Sequence, residues 1–260
     1  MTTQLDIRRP SPHVAEVWLN RPEVRNAFND GVIAELTAAF GALAADTDVR
    51  VIVLGGHGKA FCAGADLNWM RAFAHYNWDQ NRADAQALAD MLWAIYSCPI
   101  PVIGRVQGDC YAGGVGLAAV CDVLVASDAA NFCLSEAKLG LLPATIGPYV
   151  VKALGERASQ RYFLTAERFS AAEAHRLGFV HELCAAEQID ERVQALVTAL
   201  VANGPAAVKA CKKLVQDVAS QPVTAELRDD TARRIADIRS SAEGKEGVSA
   251  FLQKRPPAWT

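Results

Sequence analysis

The chain lacks any run of about 18 uncharged apolar residues, the minimum for a membrane-spanning helix, so no membrane partner is expected. It also lacks a basic excess: 26 Lys and Arg stand against 29 Asp and Glu, a net charge of -3. A protein built to wrap nucleic acid would show the opposite balance. Its first residues, MTTQLDIRRPSPH, place charges and prolines where a secretory leader needs an apolar stretch, and a cytoplasmic protein is expected. The seven cysteines (Cys62, Cys98, Cys110, Cys121, Cys133, Cys184 and Cys211) are scattered, odd in number and free of any CxxC pair. Neither a disulfide framework nor a zinc site is suggested, and small apolar neighbours mark most of them as buried hydrophobes. The five histidines lack metal-ligand spacing and no HExxH occurs, so no metal is expected. Nucleotide fingerprints are missing as well. Ala112 to Gly116 (AGGVG) does not give GxGxxG, and no GxxxxGK[ST] is present.

What is present is ordinary globular composition, 51% hydrophobic and 21% charged over 260 residues, which excludes disorder as the main state. That length predicts one large domain with an appendage. Val14 to Leu19, Val49 to Leu54, Val102 to Val106 and Val123 to Ala126 read as strands. Val32, Leu36, Phe40 and Leu43 recur at helical spacing after Asp30, a candidate cap, and Asn77 to Tyr96 is helical by pattern. After Pro143 almost everything reads as helix: Ser170 and Glu173 have capping-box spacing, and Gln188–Val201, Pro205–Ala219 and Ala225–Arg239 are amphipathic. Strands alternating with helices predict an α/β core over residues 1–200, followed by a helical segment over 201–260.

Three small-residue clusters interrupt these elements: CAGADL (62–67), YAGGVGLA (111–118) and the stretch running to Gly147. Glycines usually mark plain turns. Two of these clusters, however, follow a strand and precede a helix start, where small side chains leave backbone N–H groups free for a ligand oxygen. Two such donors aimed at one carbonyl would form an oxyanion hole.

RPEVRNAF (21–28), GKAFCAGADLNWM (58–70), VQGDCYAGGVGLAAVCD (106–122), FCLSEAKLGLLP (132–143), RYFLTAERFSAAEAHRLGFVHEL (161–183) and EGVSAFLQKRPP (246–257) together resemble the crotonase (enoyl-CoA hydratase/isomerase) superfamily over essentially the full chain. The resemblance implies a spiral of ββα units with C-terminal helices that build a homotrimer or homohexamer. It implies an acyl-CoA thioester as substrate, with coenzyme A entering only as part of it and no separate cofactor. The oxyanion donors fall on the backbone N–H groups of Ala65 and Gly113. Coenzyme A contacts fall on Arg25, Ala27, Lys59, Ala63, Asp66 and Leu67, with Lys254 and Arg255 reaching its phosphates, in a neighbouring subunit if not in their own.

Typical hydratases of this family use two glutamates. The second matches Glu136; the first would fall at Gly116, and glycine cannot transfer a proton. Three accounts are open. Glu136 acts as sole acid/base, with a carboxyl pKa raised by burial; or the enzyme is a Δ3,Δ2-enoyl-CoA isomerase, which needs one base; or a substrate group occupies the room at Gly116. Asn68, Tyr111 and Tyr149 are further candidates to orient water or substrate. AFCAGADLNWM, SEAKLGLLPATIGPYV and RYFLTAERF resemble the methylglutaconyl-CoA and isohexenylglutaconyl-CoA hydratases, whose substrates are branched at C3. That favours hydration of a branched 2-enoyl-CoA, with Gly116 giving the branch its space. A non-catalytic CoA-binding or RNA-binding paralogue is the third reading, and the acidic net charge opposes the RNA version.

Overall fold

Val51 and Val53 pack on one side of their strand while Ile52 and Leu54 pack on the other, which is why this segment reads as a continuous apolar run. The computed structural model describes residues 3–260. In chain order the elements are β1 (Leu5–Ser11), β2 (Val14–Leu19), α1 (Asp30–Ala45), β3 (Val51–Gly56), β4 (Ala60–Cys62), α2 (Leu67–Phe73), α3 (Trp78–Tyr96), β5 (Val102–Val106), β6 (Asp109–Tyr111) and α4 (Gly113–Ala119). Then come β7 (Val123–Ser127), β8 (Asn131–Cys133), α5 (Gly147–Leu154), α6 (Glu156–Thr165), β9 (Arg168–Ser170), α7 (Ala171–Arg176), β10 (Glu182–Cys184), α8 (Ile189–Ala202), α9 (Pro205–Val218), α10 (Ala225–Ser240) and α11 (Ala242–Leu252).

The strands form two sheets, a six-stranded one ordered β1-β2-β3-β5-β7-β10 and a four-stranded one ordered β4-β6-β8-β9. Only the β1–β2 and β8–β9 pairs are antiparallel. Each of β3, β5 and β7 is followed by a short strand of the second sheet, so the chain climbs as a spiral of ββα turns. Helix α8 covers one face of the large sheet through Ile189, Val193 and Val197. Its other face packs on the main core, where Phe40, Leu36, Leu92 and Ile95 are fully buried. Truncating a residue such as Phe40 to alanine would cost about 3–5 kcal/mol.

Several local expectations are corrected. Asn29, not Asp30, caps α1, because its side-chain oxygen accepts from the Val32 N–H at 2.8 Å; Asp30 is the first helical residue, where its charge suits the dipole. At α7 the Ser170 hydroxyl does accept from the Glu173 N–H, but the Glu173 carboxylate turns to Arg176 at 2.7 Å instead of back to the cap. The complete capping box is Asn77 with Gln80 at α3. The region after Pro143 is not all helix: β9 and β10 complete the two sheets.

Helices α9 and α10 contain no buried residue. They are tied down by polar contacts instead. Lys212 Nζ donates to Asp122 at 2.6 Å and to the Ile100 carbonyl at 3.2 Å, and the Glu243 carboxylate accepts from the Ala206 and Ala207 N–H groups at the start of α9. Val215, Ile235, Val248, Phe251 and Leu252 are left exposed on this segment.

Candidate active site

Because β4, β6 and β8 are parallel neighbours, the loops that leave their carboxyl ends lie side by side. Ala65, Gly113 and Glu136 each sit just beyond one of these strands. The first two loops touch at Gly64, whose φ is +89°; a Cβ there would lie 2.9 Å from the Ala112 Cβ and 3.7 Å from the Gly113 nitrogen. Only glycine permits that approach in that conformation.

The bridge between Phe28 and Ala65 orients the first donor. Phe28 N–H donates to the Gly64 carbonyl at 2.6 Å and Asp66 N–H to the Phe28 carbonyl at 2.7 Å. The Ala65 N–H between them has no protein acceptor among the described residues. Nor has the Gly113 N–H, which opens α4 and so has no intrahelical partner. The residue before it, Ala112, is held at φ 48° and ψ -118°, a conformation that costs an L residue about 1–3 kcal/mol. Its own N–H is fastened to the Cys133 carbonyl at 2.8 Å. That bond couples the second donor to the strand leading into Glu136.

Glu136 starts a short 3₁₀ turn running to Leu139. Its Oε2 is buried without a hydrogen-bond partner, and burial pushes its carboxyl pKa above the ordinary glutamate value. A desolvated, unpartnered carboxylate oxygen is a proton acceptor waiting for an acid. The cysteines offer no rival nucleophile here: burial pushes the Cys62 thiol up to about 12 and raises Cys110 and Cys133 as well.

The remaining sequence candidates divide. Arg25 and Lys59 are exposed on the loops flanking Ala63, and the Arg25 carbonyl accepts from the Ala63 N–H at 3.0 Å. Ala27 is buried, its carbonyl taken by Arg21 Nη1 at 2.7 Å. Asp66 is 5% exposed and already engaged, capping α2 through the Asn68 N–H and pairing with Arg21 at 2.8 Å. Leu67 is 69% exposed beside it. Asn68 accepts from Arg71, the Tyr149 ring packs tilted against that of Tyr96 with centroids 5.2 Å apart, and Tyr111 lies beneath the Arg168 guanidinium. Lys254 follows α11, which packs on α9 and α10. Among the described residues no hydrogen bond or ion pair joins it to the two loops, and Arg255 is paired with Glu246.

Gly116 requires a correction. It does not open a space for substrate, because a Cβ there would lie 2.1 Å from Ile146 Cγ2: the isoleucine already fills the room.

Sequence reasoning passed over Asn26, which is 1% exposed. Its amide donates to the His57 and Ala60 carbonyls at 2.8 and 2.9 Å and accepts from the Arg21 N–H. It fastens the Arg25 loop to the β3–β4 turn. Arg21 and Ala112 were also passed over; neither has a period or spacing that marks its burial or backbone strain.

The family model described as enoyl-CoA hydratase/isomerase matches residues 10–260. A crystal structure of an enoyl-CoA hydratase from Shewanella pealeana superposes with a TM-score of 0.95 at 39% identity, covering 98% of this chain and 96% of that one. Pseudomonas aeruginosa AtuE gives a TM-score of 0.94 at 37% identity, covering 98% and 99%. Over 242 residues the chain is 31% identical to the 2,3-dehydroadipyl-CoA hydratase of Escherichia coli, with 92% of each covered.

Proposed function

Since this chain belongs to the enoyl-CoA hydratase/isomerase family, the crotonase superfamily, we propose that it adds water across the double bond of a 2-enoyl-CoA with Glu136 as the single acid/base. The observation that carries this reading is the buried, unpartnered Oε2 of Glu136 on the strand end next to two backbone N–H groups without acceptors.

The Ala65 and Gly113 N–H groups hold the thioester oxygen and stabilise the negative charge that develops there, a device worth roughly 10²–10³ in rate per donor. Glu136 takes a proton from water as the oxygen bonds to C3. The electron pair of the double bond moves into the thioester, giving an enolate. Protonated Glu136 then returns the same proton to C2. One carboxyl group thus serves as base and as acid, and the atoms of one water are all placed. A pKa raised by burial suits both halves, because it strengthens the base while keeping the acid available near neutral pH.

The acyl group is proposed to be branched and to carry a second carboxylate, of the 3-methylglutaconyl or isohexenylglutaconyl type. Support comes from the SEAKLGLLPATIGPYV segment and from the dicarboxylic substrate in the name of the Escherichia coli relative; the space argument at Gly116 no longer contributes. The exposed cations Arg25 and Lys59 would meet the phosphates of coenzyme A. The apolar side chains left open on α9–α11 support a homotrimer or homohexamer, in which Lys254 serves a neighbouring subunit. A second reading is Δ3,Δ2-isomerisation, which needs only one carboxylate. Incubation with 3-methylglutaconyl-CoA, crotonyl-CoA and a 3-enoyl-CoA in H₂¹⁸O decides between them: hydration places ¹⁸O at C3, whereas isomerisation moves the double bond and leaves the product unlabelled.

A further inference from the structure

Gly113 and Gly116 are three residues apart on α4 and therefore share a face of it. Above Gly113, a Cβ would already crowd the Phe28 ring at 3.1 Å. Above Gly116, the space is taken: a Cβ would lie 2.1 Å from Ile146 Cγ2 and 2.6 Å from Ile146 Cβ. The glycine and the isoleucine interlock, the missing side chain of one being the volume of the other.

Ile146 reaches α4 from the segment that starts at Glu136. That segment is folded back by the Leu141 N–H donating to the Glu136 carbonyl at 3.1 Å, and the Ile146 carbonyl accepts from Tyr149 and Val150 N–H at 3.1 and 3.0 Å. The side chain is 3% exposed, and its β-branch leaves few rotamers by which it could withdraw. The room above Gly116, one helical turn from Gly113, is therefore closed by a stiff apolar plug carried on the same segment as Glu136.

On the hydratase reading given above, we infer that Ile146 is a specificity-determining residue: by filling the Gly116 slot it sets how large an acyl substituent the site admits on the α4 side. Removing its Cγ2 opens the slot. Single methylene-sized differences in such pockets change discrimination by about 10–200-fold.

The test compares kcat/KM for a bulky C3-branched 2-enoyl-CoA with that for crotonyl-CoA in four proteins: wild type, Ile146→Val, Ile146→Leu and Ile146→Ala. The branched-to-linear ratio should rise at least about tenfold in Ile146→Ala and several-fold in Ile146→Leu, which lacks the Cγ2 that fills the slot, and stay at the wild-type value in Ile146→Val, which keeps that atom. Circular dichroism and Tm establish that each variant is folded, and Ile146→Leu, which conserves side-chain volume, carries the test alone if the alanine variant does not fold. An active wild type whose ratio is unchanged in folded Ile146→Leu and Ile146→Ala overturns this inference and leaves the hydratase reading standing. A wild type that hydrates no 2-enoyl-CoA removes both.

Discussion

The Arg21 guanidinium meets the Asp66 carboxylate at 2.8 Å, with side-chain exposures of 17% and 7%, and each partner also holds backbone beside the Ala65 N–H. Arg21 donates to the Ala27 carbonyl, and Asp66 accepts from the Asn68 N–H. The pair thus fixes both edges of the loop that carries the Ala65 N–H, the first proposed oxyanion donor. Burial works to raise the Asp66 carboxyl, but the Asn68 N–H and Arg21 outweigh it and hold it below the usual carboxylate range.

Replacing Asp66 by asparagine strands the Arg21 charge in a nearly closed site. Loss of one partner of a buried pair costs about 3–5 kcal/mol. A carboxyl with a depressed folded pKa contributes stability that is present above its unfolded value, near ~3.9, and lost as the pH falls through the folded one. Urea unfolding should therefore show Asp66→Asn less stable at pH 7, with the gap narrowing below about pH 4.

Gly64→Ala tests the convergence of the two loops. The added methyl would meet the Ala112 Cβ at 2.9 Å and the Tyr111 carbonyl oxygen at 3.1 Å, at a φ of +89°. Relief requires the Ala65 and Gly113 N–H groups to move apart. A fall in kcat of roughly 10²-fold or more is expected, with the far-UV circular dichroism unchanged; steady-state kinetics on a 2-enoyl-CoA measures it.

Glu136→Gln should stabilise the protein while disabling it. Burial raises the Glu136 pKa, so the ionised form is penalised in the folded state. That penalty is present at neutral pH and disappears at low pH, where the carboxyl is protonated in both folded and unfolded chains. Differential scanning calorimetry should give the glutamine variant a higher Tm at pH 7, with the difference fading towards pH 4.

Lys212→Met addresses the attachment of α9. The ammonium is 7% exposed and bridges Asp122 and the Ile100 carbonyl. Its removal leaves Asp122, 26% exposed, without its cation. A loss of about 2 kcal/mol is expected, smaller than for a fully buried pair. Hydrogen exchange should show faster opening of α9 and α10 and little change in β3 and β5.

The helices of the C-terminal half were legible because their apolar residues repeat and their ends carry Gly-Pro or Gln-Pro breaks: Pro205–Val218 and Ala225–Ser240 lie within a residue of the reading. β1 was not, since Asp6, Arg8, Arg9 and Pro10 give an edge strand no apolar alternation. The second sheet escaped for another reason. β4, β6, β8 and β9 are three residues each, too short to show any period. The proposed donors at Ala65 and Gly113 and the proposed base at Glu136 rest on motif resemblance, because convergence of three loops is set by the parallel register of those short strands. Asn26 stayed hidden, because burial of a lone amide leaves no local pattern, and so did the filling of the Gly116 slot by a residue thirty positions away.

The most direct test of the account is the pH dependence of kcat/KM for 2-enoyl-CoA hydration by wild type and Glu136→Gln. The wild type should lose activity as the pH falls through a pKa above the ordinary glutamate value, and the glutamine variant should be slower by at least about 10²-fold with no such limb. A Glu136→Gln protein that keeps wild-type turnover and the same acidic limb would contradict it.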